Sequence, residues 1–246
     1  MIQIRQEDIL HKVQLQKLLI AIVDNPVLSQ NTYFKGGTCA AMLGFLDRFS
    51  IDLDFDLKKG SDRDELRKEF KKIFKSLDLT IGNNNEKTLF FTLKYVAPQG
   101  LRNTLKLSVY EDIFKSNDYK PIYLQEIDRL VNCQTIETMF ANKLVAPIDR
   151  YNKHQKIAGR DIYDIYYFFS QGYKFKKEII EERMNIDAKK YIGNLIDFIE
   201  NNLNEKILTE DLSTLLPYKK FNKIRKVLKQ ETLMFLRSCL ISHKIQ

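Results

Sequence analysis

The chain has 246 residues, 44% hydrophobic and 29% charged, with only 9 glycines and 5 prolines. That describes a globular protein of one large domain or two small ones, able to bury its own core, and excludes collagen-like, low-complexity or wholly disordered sequence. The net charge is +8, and nearly all of the excess lies at the end: from residue 216 onward there are eight basic residues and one acid, Glu231, a net of +7. A basic stripe attracts polyanions, so Lys219, Lys220, Lys223, Arg225, Lys226 and Lys229, with Arg237 and Lys244 further on, form either a nucleic-acid contact or a lysine-rich solvated face. Three scattered cysteines, Cys39, Cys133 and Cys239, point to a reducing compartment and not to a disulfide scaffold. His11, His154 and His243 are too dispersed for a histidine zinc site, and no CxxC, HExxH or Walker motif occurs. The longest clean apolar run, residues 18–23, is too short to span a membrane. The N-terminus lacks the basic-then-apolar pattern of a signal peptide, so the expected location is the cytoplasm.

Residues 6–23 have helical periodicity that stops at Asn25-Pro26, where proline blocks continuation. Residues 32–35 make a short strand, broken by Gly36-Gly37, and a short helix follows over 38–46 with Thr38 as its cap. Over 50–57, apolar Ile51, Leu53, Phe55 and Leu57 alternate with Asp52, Asp54 and Asp56, the period of a strand with one buried face. Ser61 opens a helix, with Asp64 three residues on and Leu66, Phe70, Ile73, Phe74 and Leu77 as its apolar stripe. Strands follow over 88–96 and 104–110 around the turn residues Pro98-Gln99-Gly100, and a further one over 121–124. Beyond residue 134 the pattern is helical: 135–150, where Pro147 is expected to kink or end the helix, then 161–169 and further helices joined by short loops. In the last of these, Phe221, Ile224, Leu228 and Phe235 recur at helical spacing as a docking face, leaving most of the lysines outward. The expected fold class is α+β, with a mixed sheet and helices in residues 1–130 and a mainly helical part in residues 131–246.

The residues with chemistry fall in two places. Phe34-Lys35-Gly36-Gly37-Thr38 is followed by Arg48-Phe49-Ser50-Ile51-Asp52-Leu53-Asp54-Phe55. Glycines at a strand-to-helix turn let backbone approach a ligand, and the amides that follow face phosphate oxygens. Asp52 and Asp54, two apart on a strand, leave one face. Paired carboxylates suit a hard divalent cation that also takes substrate phosphates, and they repel each other without one. Arg48 either binds phosphate or pairs with an aspartate; Ser50 caps, binds phosphate or is modified. Asp56 reads as a structural or solvated acid. Further on, Lys143 and Arg150 are two helical turns apart and share a face unless Pro147 swings the helix. Asp161 and Asp164 share a face of the next helix. These four make either an ion-pair network between helices or a substrate-binding cluster. The aromatic run Tyr163, Tyr166, Tyr167, Phe168, Phe169 reads as core and not as a base-stacking platform.

A Gly-[Ser/Thr] turn, a short helix and D-x-D on the next strand resembles the core of the nucleotidyltransferase superfamily, which includes DNA polymerase β. The longer strings are similar to the AbiEii/AbiGii-type toxin nucleotidyltransferases of bacterial abortive-infection and toxin–antitoxin systems. They are K-G-G-T with R-F-S-x-D-L-D-F, then K-L-x-A, a following Arg, and R-D-x-x-D, spanning about residues 30–170. The resemblance implies a nucleotidyltransferase-like sheet domain whose site the helical part completes. It implies Gly36, Gly37 and Thr38 on the phosphates with Arg48 and Ser50 beside them, and Asp52 and Asp54 on Mg2+ or Mn2+. It implies Lys143 on the triphosphate, with Asp161 orienting either Lys143 or the substrate, and lesser roles for Arg160 and Asp164. The implied reaction moves a nucleoside monophosphate from a nucleoside triphosphate onto RNA, tRNA ends foremost, with release of pyrophosphate and restraint by a cognate antitoxin.

Such enzymes commonly add a third carboxylate on a later strand. Here that strand, residues 105–109, shows Lys106 and Ser108 on its polar face, and the next acids are Glu111 and Asp112. Either two aspartates suffice, or Glu111 reaches in, or catalysis is weak. The alternative to a transferase is therefore a triphosphate-binding protein of the same fold with little or no transfer; the blandest reading is a basic nucleic-acid-binding domain with an incidental D-x-D.

Overall fold

Seven strands form one mixed sheet in the computed structural model, which describes residues 4–85, 87–111 and 113–241. They are β1 (Thr32–Lys35), β2 (Asp52–Leu57), β3 (Thr80–Asn85), β4 (Leu89–Lys94), β5 (Thr104–Tyr110), β6 (Tyr119–Leu124) and β7 (Arg129–Gln134). Their order is β3-β4-β5-β2-β1-β7-β6. The two strands with the glycine and aspartate motifs thus lie side by side near its centre. β2 runs antiparallel to β1 and parallel to β5, and β1 runs parallel to β7. Asp112, His243 and Lys244 lie outside the described residues.

The alternation of β2 does what its period requires. Leu53, Phe55 and Leu57 are buried, as are Leu105, Leu107 and Val109 of β5 and Leu89, Phe91 and Leu93 of β4. This apolar face packs against α4 (Arg63–Ser76), whose Phe70 and Phe74 rings lie 5.7 and 5.0 Å from that of Phe91. Each such fully buried ring contributes roughly 1.5–3 kcal/mol. Asp62, not Ser61, caps α4: its Oδ1 accepts from the amides of Asp64 and Glu65. The Ser61 hydroxyl instead donates to Asn31. Leu66, Phe70, Ile73 and Phe74 are the buried stripe, and Leu77 is half-buried at the helix end.

The N-terminal helix α1 (Ile9–Asp24) stops before Asn25, which caps a second short helix, α2 (Pro26–Asn31), through Leu28 N. Proline at the first position starts α2 as well as ending α1, because the missing N–H is unpaired there anyway. The glycine turn differs from the expected arrangement. Gly36 has φ +78°, and α3 (Gly36–Met42) begins at the glycines themselves, with no side-chain cap. Thr38 lies inside that helix, and its hydroxyl donates to the carbonyl of Asp52 at 2.5 Å. β3 and β7 have too few apolar residues to announce themselves: TIGNNN and RLVNCQ. Both are drafted by pairing, β3 with β4 and β7 with β1 and β6.

The chain divides into two compact units, residues 1–113 with 119–134, and residues 114–118 with 135–246. The division falls a few residues beyond the expected boundary at 130, because β7 belongs to the sheet. The second unit is helical: α5 (Ile136–His154), α6 (Gly159–Ser170), α7 (Lys177–Met184), α8 (Ala188–Asn202), α9 (Glu205–Leu212) and α10 (Tyr218–Ile241). Gly159 lets α6 pass close to α9, since a Cβ there would lie 3.1 Å from the Ile207 carbonyl. Pro147 neither ends nor interrupts α5. Proline removes a helical donor and displaces the preceding turn, and the buried Tyr191 hydroxyl serves the carbonyls nearby, Leu144 O at 3.1 Å and Val145 O at 3.3 Å. Among the described residues no helix is long and apolar enough to cross a membrane.

Candidate active site

In the sheet unit the glycine turn rests directly on the aspartate strand. A Cβ at Gly36 would lie 2.7 Å from Asp54 Oδ2, and one at Gly37 would lie 2.8 Å from Ser50 Oγ and 3.0 Å from an Arg48 guanidinium nitrogen. Gly36 demands glycine by its left-handed backbone, and a side chain at Gly37 would have to displace Ser50 Oγ and the Arg48 guanidinium. Lys35 and Asp54 are register partners, and Thr38 holds Asp52 through its carbonyl. Gly36, Gly37, Thr38, Arg48, Ser50, Asp52 and Asp54 are thus brought together from the β1–α3 turn, the preceding loop and β2. Arg48 is buried at 2% exposure and donates to Phe49 O. Asp52 and Asp54 are half-buried. Their all-oxygen donor set fits a hard divalent cation.

Asp56 is neither solvated nor part of that pair. It is 1% exposed and accepts from Lys35 Nζ at 2.5 Å, Tyr119 OH at 2.7 Å and Gln134 Nε2 at 2.7 Å. Lys35 also lies over the Tyr110 ring, 4.0 Å from its centre. A buried carboxylate with three donors is satisfied, so Asp56 fixes the residue that precedes the glycine turn. His11 braces the other end of the strand. Its Nε2 lies 2.9 Å from the carbonyl of Ile51 and its Nδ1 lies 2.8 Å from the Tyr95 hydroxyl. Burial holds the imidazole pKa below its usual value, against the opposing pull of the Ile51 carbonyl. Neither network was legible beforehand, because each joins segments dozens of residues apart. Cys39 and Cys133, distant in sequence, also meet as free, buried, hydrogen-bonded thiols.

The strand expected to supply a third carboxylate presents none on the relevant face. Asp52 pairs in register with Lys106 and Asp54 with Ser108. Glu111 lies past the end of β5 and is exposed. It stands 3.7 Å from Arg63. Among the described residues no group of three or more His, Cys, Asp or Glu is arranged to hold a metal, leaving the aspartate pair as the candidate.

In the helical unit Lys143 meets both aspartates of α6, Asp161 at 3.0 Å and Asp164 at 2.9 Å, and Arg150 meets Asp161 at 3.0 Å. Both carboxylates have 0% exposure, whereas the Lys143 side chain keeps 19%. Burial alone would raise the Asp161 carboxyl, but Lys143, Arg150 and Arg160 outweigh it and bring its pKa to about 2. The aromatic run divides: Tyr163 and Phe168 are core, and Tyr166, Tyr167 and Phe169 are half-buried.

The basic helix α10 docks through Phe221, Ile224 and Leu228, with Phe235 half-buried. Fewer of its cations face outward than expected. Lys229 donates to Glu200 O and Leu203 O, both at 2.8 Å, at the end of α8. Arg225 lies 3.4 Å from Glu205, Arg237 pairs with Glu200, and Lys220 lies over two tyrosine rings. Lys219, Lys223 and Lys226 are exposed.

A mixed sheet with a glycine turn seated on a D-x-D strand is the arrangement expected of a nucleotidyltransferase, and the family match gives the class. The chain belongs to the AbiEii nucleotidyl transferase toxin family of type IV toxin–antitoxin systems, whose model matches residues 17–225. Membership implies a nucleoside triphosphate substrate, a divalent metal and a cognate antitoxin. Among solved structures, a candidate nucleotidyltransferase from H. pylori is 21% identical, with 99% of each chain covered and a TM-score of 0.62. JHP933 from Helicobacter pylori is also 21% identical, over 99% of this chain and 98% of that one, with a TM-score of 0.56. MenT4, a nucleotidyltransferase toxin from Mycobacterium tuberculosis, is 14% identical over 95% of this chain and 86% of that one, with a TM-score of 0.56. These likenesses are of fold. No curated protein matches the chain.

Proposed function

We propose that the chain transfers a nucleoside monophosphate from a nucleoside triphosphate to RNA, tRNA ends foremost, in the cytoplasm. The observation that carries this is the packing of Gly36 against Asp54 and of Gly37 against Ser50 and Arg48: the bare backbone of the turn lies directly against the carboxylate strand. Asp52 and Asp54 would hold Mg2+ or Mn2+, which when bound supplies charge neutralisation at the transferring phosphoryl group. The chain acts by position. Amides of Gly36, Gly37 and Thr38 meet phosphate oxygens, Arg48 and Ser50 set the height of the turn over β2, and Asp56 holds Lys35 behind it. Lys143 is the proposed triphosphate contact of the helical unit, oriented by Asp161 and Asp164. An acceptor hydroxyl attacks the α-phosphorus, the bond to the bridging oxygen breaks, and pyrophosphate leaves.

A second reading, triphosphate binding with little transfer, is favoured by Lys106 and Ser108 standing in register with Asp52 and Asp54, where a third carboxylate would sit. Incubation with labelled triphosphates, Mg2+ and total RNA separates the two. The first reading expects label in RNA and its loss in Asp52→Asn; triphosphate binding without product selects the second. Lys143→Ala is expected to weaken triphosphate affinity more than it lowers thermal stability. The opposite pattern, from a melt and a titration on one preparation, would leave Lys143 as an ion-pair partner only.

A further inference from the structure

Between α6 and α10 the helical unit carries a groove of about 370 Å³. Its α6 wall is aromatic, with Tyr163 buried beneath and Tyr166 and Tyr167 half-buried at the sides. Its α10 wall begins with Lys220 and Lys223 and ends with Glu231. The Lys220 ammonium lies 5.7 Å from the Tyr163 ring centre and 5.5 Å from that of Tyr167. Burial first, and the Glu231 carboxylate second, push the Tyr166 hydroxyl pKa above its usual value. The groove therefore has a cationic end and an acidic end, joined by tyrosine rings. On one helix, Lys223 and Glu231 are separated by roughly 12 Å at 1.5 Å per residue, which suits the span from a phosphate to the far edge of its base.

We propose that this groove binds one nucleotide of a single-stranded nucleic acid, with its phosphate at Lys220 and Lys223, its base against the tyrosines and a base amino group toward Glu231. Aromatic walls with flanking cations are the sequence-tolerant way to hold a single strand. The exposed Lys219 and Lys226 continue the cationic end along the same helix, where adjoining phosphates run. An acidic peptide would satisfy the lysines but meet like charge at Glu231, whereas a nucleotide has one anionic end and one hydrogen-bond-donating end. That this strand is the acceptor rests on the function proposed above; the chemistry of the groove does not.

The test is fluorescence anisotropy of a short labelled single-stranded RNA with the full chain. Tyr167→Leu is expected to weaken binding about tenfold. Lys223→Gln, at an exposed position that leaves packing intact, is expected to weaken it severalfold and to reduce the log–log salt slope by about 0.7. Both keep the parent affinity for free triphosphate. Should Tyr167→Leu fail to fold, Lys223→Gln decides alone. Parent-like RNA affinity and salt slope in the folded variants overturn the proposal. So does displacement of the RNA by poly-glutamate as readily as by unlabelled RNA, which assigns the groove to an acidic protein. RNA transfer is scored separately. Weakened binding in the variants, with no RNA product from the parent, upholds the groove and overturns the acceptor reading; a product with unchanged variant binding does the reverse.

Discussion

Two aspartate pairs, one in each unit, show what surroundings do to the same side chain. Asp161 and Asp164 lie three apart on a helix, fully buried, with Lys143 and Arg150 at 3.0 Å or less. Asp52 and Asp54 lie two apart on a strand, half-buried, with Gly36 packed so closely on Asp54 that a Cβ there would lie 2.7 Å from its Oδ2. An ionised carboxylate withdrawn from water must bring its own cations, so the helix pair is neutralised by the chain. The strand pair keeps part of its surface exposed and is the pair proposed to take its cation from solution.

The sharpest way to break this comparison is to unpair each site in turn. Asp161→Ala removes the carboxylate shared by Lys143 and Arg150, leaving Lys143 on Asp164, and is expected to cost about 3 kcal/mol in urea unfolding. A loss below about 1 kcal/mol would place the helix pair with weak surface bridges. Asp52→Asn and Asp54→Asn are expected to lower transfer at least about 100-fold while the melting temperature holds or rises, since one repulsion is relieved. Unchanged turnover at saturating triphosphate removes the strand pair from the site, and a melting loss like that of Asp161→Ala puts both pairs in one class.

Gly37→Ala drives a Cβ against Ser50 Oγ and Arg48, and overpacking of this kind costs about 1–3 kcal/mol. The Ser50 Cβ is 3.6 Å away, so adding Ser50→Ala should recover part of that loss in stability; no recovery would mean the turn is held by something other than this contact.

The effect of acid follows from Asp161. Its pKa is depressed from 3.8 to about 2 in the folded chain, so it contributes stability that is complete above about pH 4 and lost as pH falls towards 2. The loss is about 2 kcal/mol. The unfolding free energy of parent and Asp161→Asn across that window should differ in slope; parallel curves would remove Asp161 as the cause. Tyr191→Phe is the smallest change, about 1 kcal/mol, from the hydrogen bonds to Leu144 and Val145 beside Pro147. A loss of several kcal/mol would mean that α5 depends on this hydroxyl to continue past its proline.

How much was legible follows from what is local. The alternation over β2, the glycine turn and the helix stripe of Leu66, Phe70, Ile73 and Phe74 are set by backbone period and by residues within a turn or two, so they read directly from the chain. Thr38 did not, because its hydroxyl bonds a carbonyl fourteen residues on and not its own helix. Nor did the fate of the basic tail, since Lys229 reaches the end of α8 and Arg225 reaches Glu205. Charge counts say how many cations a helix has, not which of them the neighbouring helices take up.

The sequence by itself determined that two carboxylates would leave one face of a strand and that two glycines would open a turn before it. Spacing two apart on a pleated strand and the freedom of φ at glycine admit little else. The tertiary structure alone decided what stands beside them. It put Asp56 under Lys35, Tyr119 and Gln134, placed Lys106 and Ser108 alongside the aspartates and left Glu111 past the end of β5, 3.7 Å from Arg63. Those outcomes depend on register between β2, β5 and β7, strands separated by dozens of residues, and a shift of one residue in that register would turn every side chain to the other side.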